Sequence, residues 1–127
     1  MRDCSIQLTH HPGDFAQVAQ ALAHRGVNIK ALAAISAGDH AIARILPDDI
    51  EVARSAFEAA NISFQESEVH TVLLENKPGE LAAVSERLGV EGLNLEALYV
   101  TGITDELVEI VVACDDPKKA KRILKEF

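Results

Sequence analysis

The chain has 127 residues, the usual size of one domain and enough for two very small ones. Its composition, with 48% hydrophobic and 25% charged residues, excludes disordered, collagen-like and low-complexity chains. A formal net charge of −8 argues against nucleic-acid and membrane partners, because both require a basic surface. We therefore expect a soluble, folded protein.

The cysteines and the lack of targeting segments bear on where the protein works. Cys4 and Cys114 lie in apolar surroundings, and the first residues lack the basic and then apolar run of a secretory signal. No apolar run approaches the roughly 20 residues that a membrane span requires. We expect a cytoplasmic protein with both thiols reduced and buried.

The first half of the chain predicts alternating strands and helices. CSIQLTH favours a strand, and the corner HHPGDF follows it. From Phe15 to Leu22, apolar residues recur at three- and four-residue spacing, which predicts an amphipathic helix that stops at Gly26. VNIKALAAIS and AIARIL then predict two strands joined by the turn AGDH.

A second helix and a last strand complete this half. Asp48 and Glu51 fit a capping box ahead of an apolar stripe that includes Phe57. In NISFQES, Ile62 and Phe64 alternate with polar residues, as in an edge strand. The predicted order is therefore strand, helix, strand, strand, helix, strand.

The second half repeats the first. A shift of 66 residues aligns PGDFAQVAQALAHRGVNIKAL, residues 12–32, with PGELAAVSERLGVEGLNLEAL, residues 78–98, and nine of the 21 positions are identical. An internal repeat of this kind indicates two small modules, at residues 1–67 and 68–127.

The second copy has the same elements except the last. VHTVLLE, LNLEALYVT and LVEIVVAC predict its strands. Its first helix follows the corner ENKPGEL and ends at Gly92. Its second helix is expected to have Asp116 as its cap and Pro117 as its first residue, with Phe127 among the inward side chains.

With right-handed crossovers, this order predicts an α+β fold of two ferredoxin-like βαββαβ modules. Each module would have an antiparallel sheet with both helices on one face, and the second would lack its last strand. Residues 62–74 would run as nearly one strand, because an uncovered edge at 69–74 would be an aggregation liability.

The Pro-Gly corner recurs at the same point of both copies, before a helix N-terminus whose free N–H groups and dipole favour a carboxylate. An isolated Pro-Gly is usually a tight turn with solvated amides. In each copy, however, an asparagine, Asn28 or Asn94, also begins the strand that follows the helix. Its amide offers a donor and an acceptor to a ligand.

This combination resembles the ACT domain, a small-molecule-sensing module of amino-acid metabolism. The shared pattern is a strand, then Pro-Gly-acidic-apolar, then an amphipathic helix that ends in Gly-apolar-Asn-apolar. It covers essentially the whole chain as two tandem copies, as in free-standing ACT proteins without a catalytic domain. The resemblance implies a non-catalytic regulator without a cofactor, which binds an amino acid between two modules and signals to amino-acid metabolism.

The resemblance also implies two binding sites, each built from the corner of one module and the strand after the first helix of another. The first site combines Asn76, Pro78, Gly79 and Glu80 with Asn28 and Ile29. The second site combines His10, Pro12, Gly13 and Asp14 with Asn94 and Leu95. Asn76 matches a position where related sensors place an amide that contacts ligand, whereas His10 departs from that pattern. The corner at Pro78 is therefore the better candidate.

The short connection between the copies predicts a homodimer. If the two modules of one chain paired through their second strands, as modules of the family often do, the last strand of the first module and the first strand of the second would lie about 29 Å apart. The connector at Ser67 and Glu68 spans only about 10 Å when extended. Unless the strand at 62–66 is exchanged between modules, that pairing must join two chains.

Catalysis and metal binding find little support in the sequence. The five histidines are scattered, and no spacing of Cys, His or carboxylates fits a metal site. His10 and Asp14 would be the one pair able to hold a metal or act as an acid–base pair, but a solvated loop is the simpler interpretation. The chain has no Gly-x-Ser-x-Gly, P-loop or dinucleotide motif.

A ligand-free dimeric adaptor that docks on a metabolic enzyme is the alternative function. Its docking surface would be the final helix, although a solvated helix face is the simpler interpretation. The basic residues there are Lys118, Lys119, Lys121, Arg122 and Lys125. Neither the ligand nor the regulated protein follows from the sequence.

Overall fold

The computed structural model describes residues 1–9 and 11–127 of the chain. Arg2–Ser67 form one unit, called the first module below, and Glu68–Phe127 with Met1 form the second module. Among the described residues, no helix has the length and apolar character needed to cross a membrane.

The first module is a four-stranded sheet with two helices. Its elements are β1 (Arg2–Leu8), α1 (Asp14–Ala23), β2 (Ile29–Ala37), β3 (His40–Pro47), α2 (Ile50–Ala59) and β4 (Gln65–Glu68). The strands lie in the order β2-β3-β1-β4, and β3 is antiparallel to both β1 and β2. Alternate residues of β1 and β3 form a core with Leu22 of α1 and Phe57 of α2, both fully buried.

The second module repeats this arrangement with three strands. Its elements are β5 (His70–Glu75), α3 (Glu80–Val90), β6 (Leu95–Ile103), β7 (Leu107–Cys114) and α4 (Pro117–Leu124). The strands lie in the order β5-β7-β6 and are antiparallel, with a core that joins Leu88 and Leu124 to Val112. A single residue separates β4 from β5. The predicted α+β fold of two ferredoxin-like modules, the second without its last strand, is confirmed.

The helix caps agree with the prediction in the second module only. Asp116 caps α4 by accepting a hydrogen bond from the backbone of the first turn, and Pro117 is the first helical residue, as predicted. The capping box at Asp48 is wrong. The cap of α2 is Asp49, whose carboxylate accepts from Val52 N at 3.1 Å, because Asp49 is the residue that directly precedes the first turn.

Two segments differ from their predictions. β4 begins at Gln65, so Ile62 and Phe64 precede the strand instead of alternating along it. Both still pack against the core of the first module, and the ring centroid of Phe64 lies 5.3 Å from that of Phe57. Phe127 follows the end of α4 and is 44% exposed, so it does not face inward.

One carboxylate ties β4 to β1 and α2. Glu66 accepts hydrogen bonds from Arg54 Nε at 2.7 Å, from Arg54 Nη2 at 2.8 Å and from Arg2 Nε at 3.0 Å. The bonds from Arg54, and then that from Arg2, lower the pKa of Glu66 from 4.5 to about 2 although partial burial opposes them. Glu66 is therefore charged wherever the module is folded near neutral pH.

We expect Glu66→Gln to lower the free energy of unfolding by about 1 kcal/mol at pH 7, because two partly exposed guanidinium groups lose a charged acceptor. The pKa of Glu66 is lower in the folded chain than in the unfolded chain, so its contribution is complete above about pH 5 and is lost as the pH falls toward 2. Urea unfolding at pH 7, 5 and 3 should show the variant and the original chain converging in acid. Glu58→Gln, at an exposed position of α2, is the control and should change little. A difference that persists unchanged at pH 3 would contradict this role of Glu66.

Candidate functional site

The corner at Pro78 and Gly79, called the second corner below, joins β5 to α3, and the corner at Pro12 and Gly13 is called the first corner. Gly79 is the N-cap of α3 and has a φ of +94°, which a residue with a side chain adopts only with strain. A Cβ added at Gly79 would meet nothing within 4 Å, so the space beside the corner is open. The first N–H groups of α3 have no partner within the helix. The corner can therefore donate hydrogen bonds to a carboxylate.

Asn76 connects this corner to the hairpin between β6 and β7. Its Nδ2 donates a hydrogen bond to Thr104 O at 2.9 Å, and its backbone N–H donates to Glu106 O at 2.8 Å. The side chain of Asn76 is thus held in place by its nitrogen, and its oxygen can still accept a hydrogen bond from a ligand.

Charged side chains surround the second corner. Lys77 Nζ lies 2.6 Å from Glu75 Oε2 and 3.6 Å from Glu80 Oε1. The hydrogen bond from Lys77 to Glu75 is the main cause of the raised pKa of Lys77. One cation and two carboxylates give the corner groups that suit both ends of a zwitterion.

The first corner has nearly the same backbone conformation, and the first side chain of α1 bonds back to the residues that precede the corner. Gly13 is the N-cap of α1 with a φ of +89°. Asp14 Oδ2 accepts hydrogen bonds from Thr9 Oγ1 at 2.6 Å, Thr9 N at 3.2 Å and His11 N at 3.1 Å. The bond from the Thr9 hydroxyl, followed by that from His11 N, lowers the pKa of Asp14. His10, which was predicted to belong to this corner, lies outside the described residues.

The two asparagines immediately precede β2 and β6, and each is held by an aspartate. Asn28 N donates to Asp48 Oδ1 at 3.1 Å, and Asn94 N donates to Asp115 Oδ1 at 3.0 Å. Asn94 Nδ2 also donates to Asp115 Oδ2 at 3.1 Å. Among the described residues Asn28 makes no such side-chain bond, so its exposed carboxamide is the one available to a ligand.

A corner and an asparagine of the same module lie at opposite ends of its sheet. β1 and β2 are both antiparallel to β3 and therefore run in the same direction. The corner follows the end of β1, whereas Asn28 precedes the start of β2, which has nine residues. Such a strand spans about 30 Å. β5 and β6 are related in the same way. A ligand that contacts both a corner and an asparagine must therefore lie between two modules.

A cavity of about 340 Å³ lies beside the first corner, within the first module. Its walls include Leu8, Val18, Ile62 and the carboxylate-bearing Asp14. That carboxylate would repel the carboxylate of a ligand, and the cavity contains neither of the asparagines. It does not match the predicted amino-acid site.

Other titratable groups form no further centre. Among the described residues, no group of three or more His, Cys, Asp and Glu is placed to hold a metal ion. Both cysteines are buried, as predicted. Burial raises the pKa of Cys4 to about 12 and also raises the pKa of Cys114, so neither thiol is ionised at neutral pH.

The comparison with known families identifies the modules. A family model described as "ACT domain pair" matches residues 1–127. The chain belongs to the ACT domain pair family. The resemblance to tandem ACT proteins that the motifs indicated is thereby confirmed. No curated protein matches the chain.

Solved structures share the fold of this ACT pair. Protein BT0572 from Bacteroides thetaiotaomicron has a TM-score of 0.87 and 26% identity, and the match covers 98% of this chain and 86% of that one. The ligand-free regulatory subunit of aspartate kinase from Thermus thermophilus has a TM-score of 0.67 and 18% identity, with 98% and 90% covered. The regulatory subunit from Thermus flavus has a TM-score of 0.63 and 18% identity, with the same coverage. At these identities the likeness to the two kinase subunits shows a common fold and nothing more.

The roles of several residues that hold the corners or the asparagines of this ACT pair were not predicted from the sequence. Asp48 and Asp115 had a signal, because they occupy equivalent positions of the two copies, directly before the second-helix caps. Thr9 had none, because it aligns with Glu75 in the other copy. Its role depends on a hydrogen bond to Asp14 that the alignment does not indicate.

Proposed function

We propose that the chain is a non-catalytic cytoplasmic sensor that binds an amino acid between two ACT modules, divided at residues 67 and 68, and regulates amino-acid metabolism. One observation carries the proposal. No side chain caps the start of α3, so its first N–H groups are available to a carboxylate, and the Lys77 cation lies beside them, with Nζ 3.6 Å from Glu80 Oε1. The regulatory subunit of aspartate kinase is a precedent for this fold in a regulatory chain.

The proposed site binds both charged ends of the amino acid. The carboxylate accepts hydrogen bonds from the N–H groups at Gly79 and Glu80, beside the ring of Pro78. The ammonium group donates to Asn76 Oδ1 and to the corner's carboxylates. Because the acidic side chains there outnumber Lys77, a zwitterion suits the corner better than a dianion such as phosphate.

The rest of the proposed site comes from the first module of another chain. Asn28 offers a carboxamide that is free among the described residues, and Ile29 supplies an apolar contact for the ligand side chain. A ligand bridging two modules in this way shifts a conformational equilibrium by its differential affinity for the paired state, typically about 1–3 kcal/mol.

We expect the other predicted site to be empty. It would combine Pro12 and Gly13 with Asn94 and Leu95, but the carboxylate of Asp14, which Thr9 and His11 N hold at this corner, would repel the ligand's carboxylate. The side chain of Asn94 is also already bonded to an aspartate. The stoichiometry is therefore one amino acid per chain.

A homodimer supplies the second module that each site needs. The edge strands β2 and β6 expose apolar side chains, with Ile35 71% and Ile103 67% exposed, which a subunit interface would cover. The alternative, a ligand-free adaptor docking on a metabolic enzyme, uses the basic α4 instead.

A thermal-shift screen against the twenty amino acids tests the sensor, with light scattering on the same samples. We expect a dimer at micromolar concentration and at least one amino acid that raises the melting temperature, because binding to the folded state alone stabilises it. If none of the twenty amino acids changed the melting temperature at millimolar concentration, the adaptor would be favoured. A monomer with or without amino acid would rule out a site shared between chains.

A further inference from the structure

The two modules differ at one sheet edge. In the first module β1 lies between β3 and β4, whereas β7 is the one neighbour of the equivalent strand β5 among the described residues. The other edge of β5, called the open edge below, therefore presents unpaired backbone N–H and C=O groups. No strand in the described part of the chain takes, in the second sheet, the place that β4 takes in the first.

The first module shows which side chains attach a strand at this sheet edge. The segment that fills it brings Glu66 onto Arg54 of α2, with N–O distances of 2.7 and 2.8 Å. Two residues earlier, Phe64 packs on Phe57 of the same helix. An apolar side chain and an acidic one, two positions apart, thus attach the strand to the helix above it.

In the second module, α4 carries a basic and an apolar side chain at the equivalent positions. With the caps Asp49 and Asp116 aligned, Lys121 takes the position of Arg54, and Leu124 takes the position of Phe57. Lys121 and Leu124 both line a cleft of about 500 Å³ between α4 and the open edge. No ion pair to Lys121 occurs among the described residues.

A buried polar atom in the cleft also lacks a partner. His70 lines the cleft with Val69, Thr71 and Lys125, and its Nε2 is buried without a hydrogen-bond partner among the described residues. The nearest carboxylate oxygen, on Glu68, lies 3.7 Å away, which is too far for a hydrogen bond. An incoming backbone or side chain would satisfy this nitrogen.

We propose that an extended acidic segment of a different protein binds the open edge as the fourth strand of the second module. Its acidic residue pairs with Lys121, and an apolar residue two positions earlier packs on Leu124. Main-chain hydrogen bonds to β5 supply affinity, and these two side chains supply specificity. The surface is separate from the amino-acid site and gives the regulated protein a place to dock.

Charge argues against a second copy of the chain as the occupant. α4 packs against β5, so pairing two open edges would place two α4 helices side by side across the new sheet. Each carries Lys118, Lys121, Arg122 and Lys125 on its exposed surface. Like charges at that spacing repel, whereas an acidic strand neutralises them.

A peptide copied from the chain's own residues 61–68, NISFQESE, is the probe, because its sequence occupies the equivalent place in the first module. We expect the full-length chain to bind the labelled peptide saturably in fluorescence anisotropy, without any amino acid present. Lys121→Glu should weaken binding by about tenfold or more, because it replaces a charged hydrogen bond by repulsion. Lys118→Glu, on the same helix but outside the cleft, is the matched control and should bind within about twofold of the original.

Exchanging the two charges between the peptide and the chain distinguishes loss of the ion pair from misfolding of the Lys121→Glu variant. A peptide with lysine in place of its first glutamate should bind poorly to the original chain and regain affinity for the Lys121→Glu variant. Binding that is indifferent to Lys121→Glu, or no saturation up to about 1 mM peptide, would overturn the proposal. So would a peptide that dissociates dimers in light scattering, because the open edge would then bind a second copy.

Discussion

Replacing Asp3 by asparagine should lower the free energy of unfolding by about 3–5 kcal/mol, the largest effect that we expect of a single substitution. Asp3 is fully buried, and its carboxylate oxygens lie 2.7 and 3.3 Å from Arg44 Nε and Nη2. The side chain of Arg44 is itself only 14% exposed. Asparagine keeps the shape but removes the countercharge of a guanidinium group that water hardly reaches. Urea unfolding at pH 7 measures the loss.

A double replacement separates charge from packing. Asp3→Leu together with Arg44→Met leaves no unpaired buried charge, so the double variant should recover part of the stability that Asp3→Asn loses. If Asp3→Asn alone stayed within about 1 kcal/mol of the original chain, the pair would not be as buried in solution as described.

Gly79→Val should abolish amino-acid binding while the chain stays folded. The positive φ at this position strains any residue with a side chain, at a cost of about 1–2 kcal/mol, but the added Cβ meets nothing within 4 Å. The branched side chain would lie over the first amides of α3 and keep a carboxylate from approaching them. Calorimetric titration with an amino acid found in the thermal-shift screen measures the loss.

The repeat provides a matched control for this variant. Gly13 has nearly the same backbone conformation as Gly79, with φ of +89° against +94°, and a Cβ there also meets nothing within 4 Å. Gly13→Val should therefore cost similar stability and leave binding intact, because the proposed ligand contacts the corner at Gly79 and not the one at Gly13. Equal loss of binding in both variants would point to general destabilisation, and loss in Gly13→Val alone would place the ligand at the first corner.

The architecture could be predicted because its signals are local. The helix stops at Gly26 and Gly92, where φ is +72° and +78°, and the cap at Asp116 each depend on a few neighbouring residues. The repeat then extended each local assignment to a second copy. The start of β4 was predicted less well, because Ile62 and Phe64 bury their side chains without joining the strand.

Contacts that depend on strand register could not be predicted. Asp3 and Arg44 are 41 residues apart, and they meet because Cys4 lies opposite Ile45. A shift of β1 by one residue against β3 would place the two side chains on opposite faces of the sheet. The ranking of the two corners by Asn76 against His10 stays a prediction, and the hydrogen bonds of Asp14 to Thr9 and His11 could not be predicted from the repeat because Thr9 aligns with Glu75.

The most direct test of a carboxylate site at the second corner is a calorimetric titration with the stabilising amino acid and with its carboxamide. We expect saturable binding of one amino acid per chain and binding of the carboxamide that is weaker by about tenfold or more, because a neutral amide loses the charged hydrogen bonds to the start of α3. Equal affinity for the two ligands, or no binding of any amino acid, would contradict the proposed site.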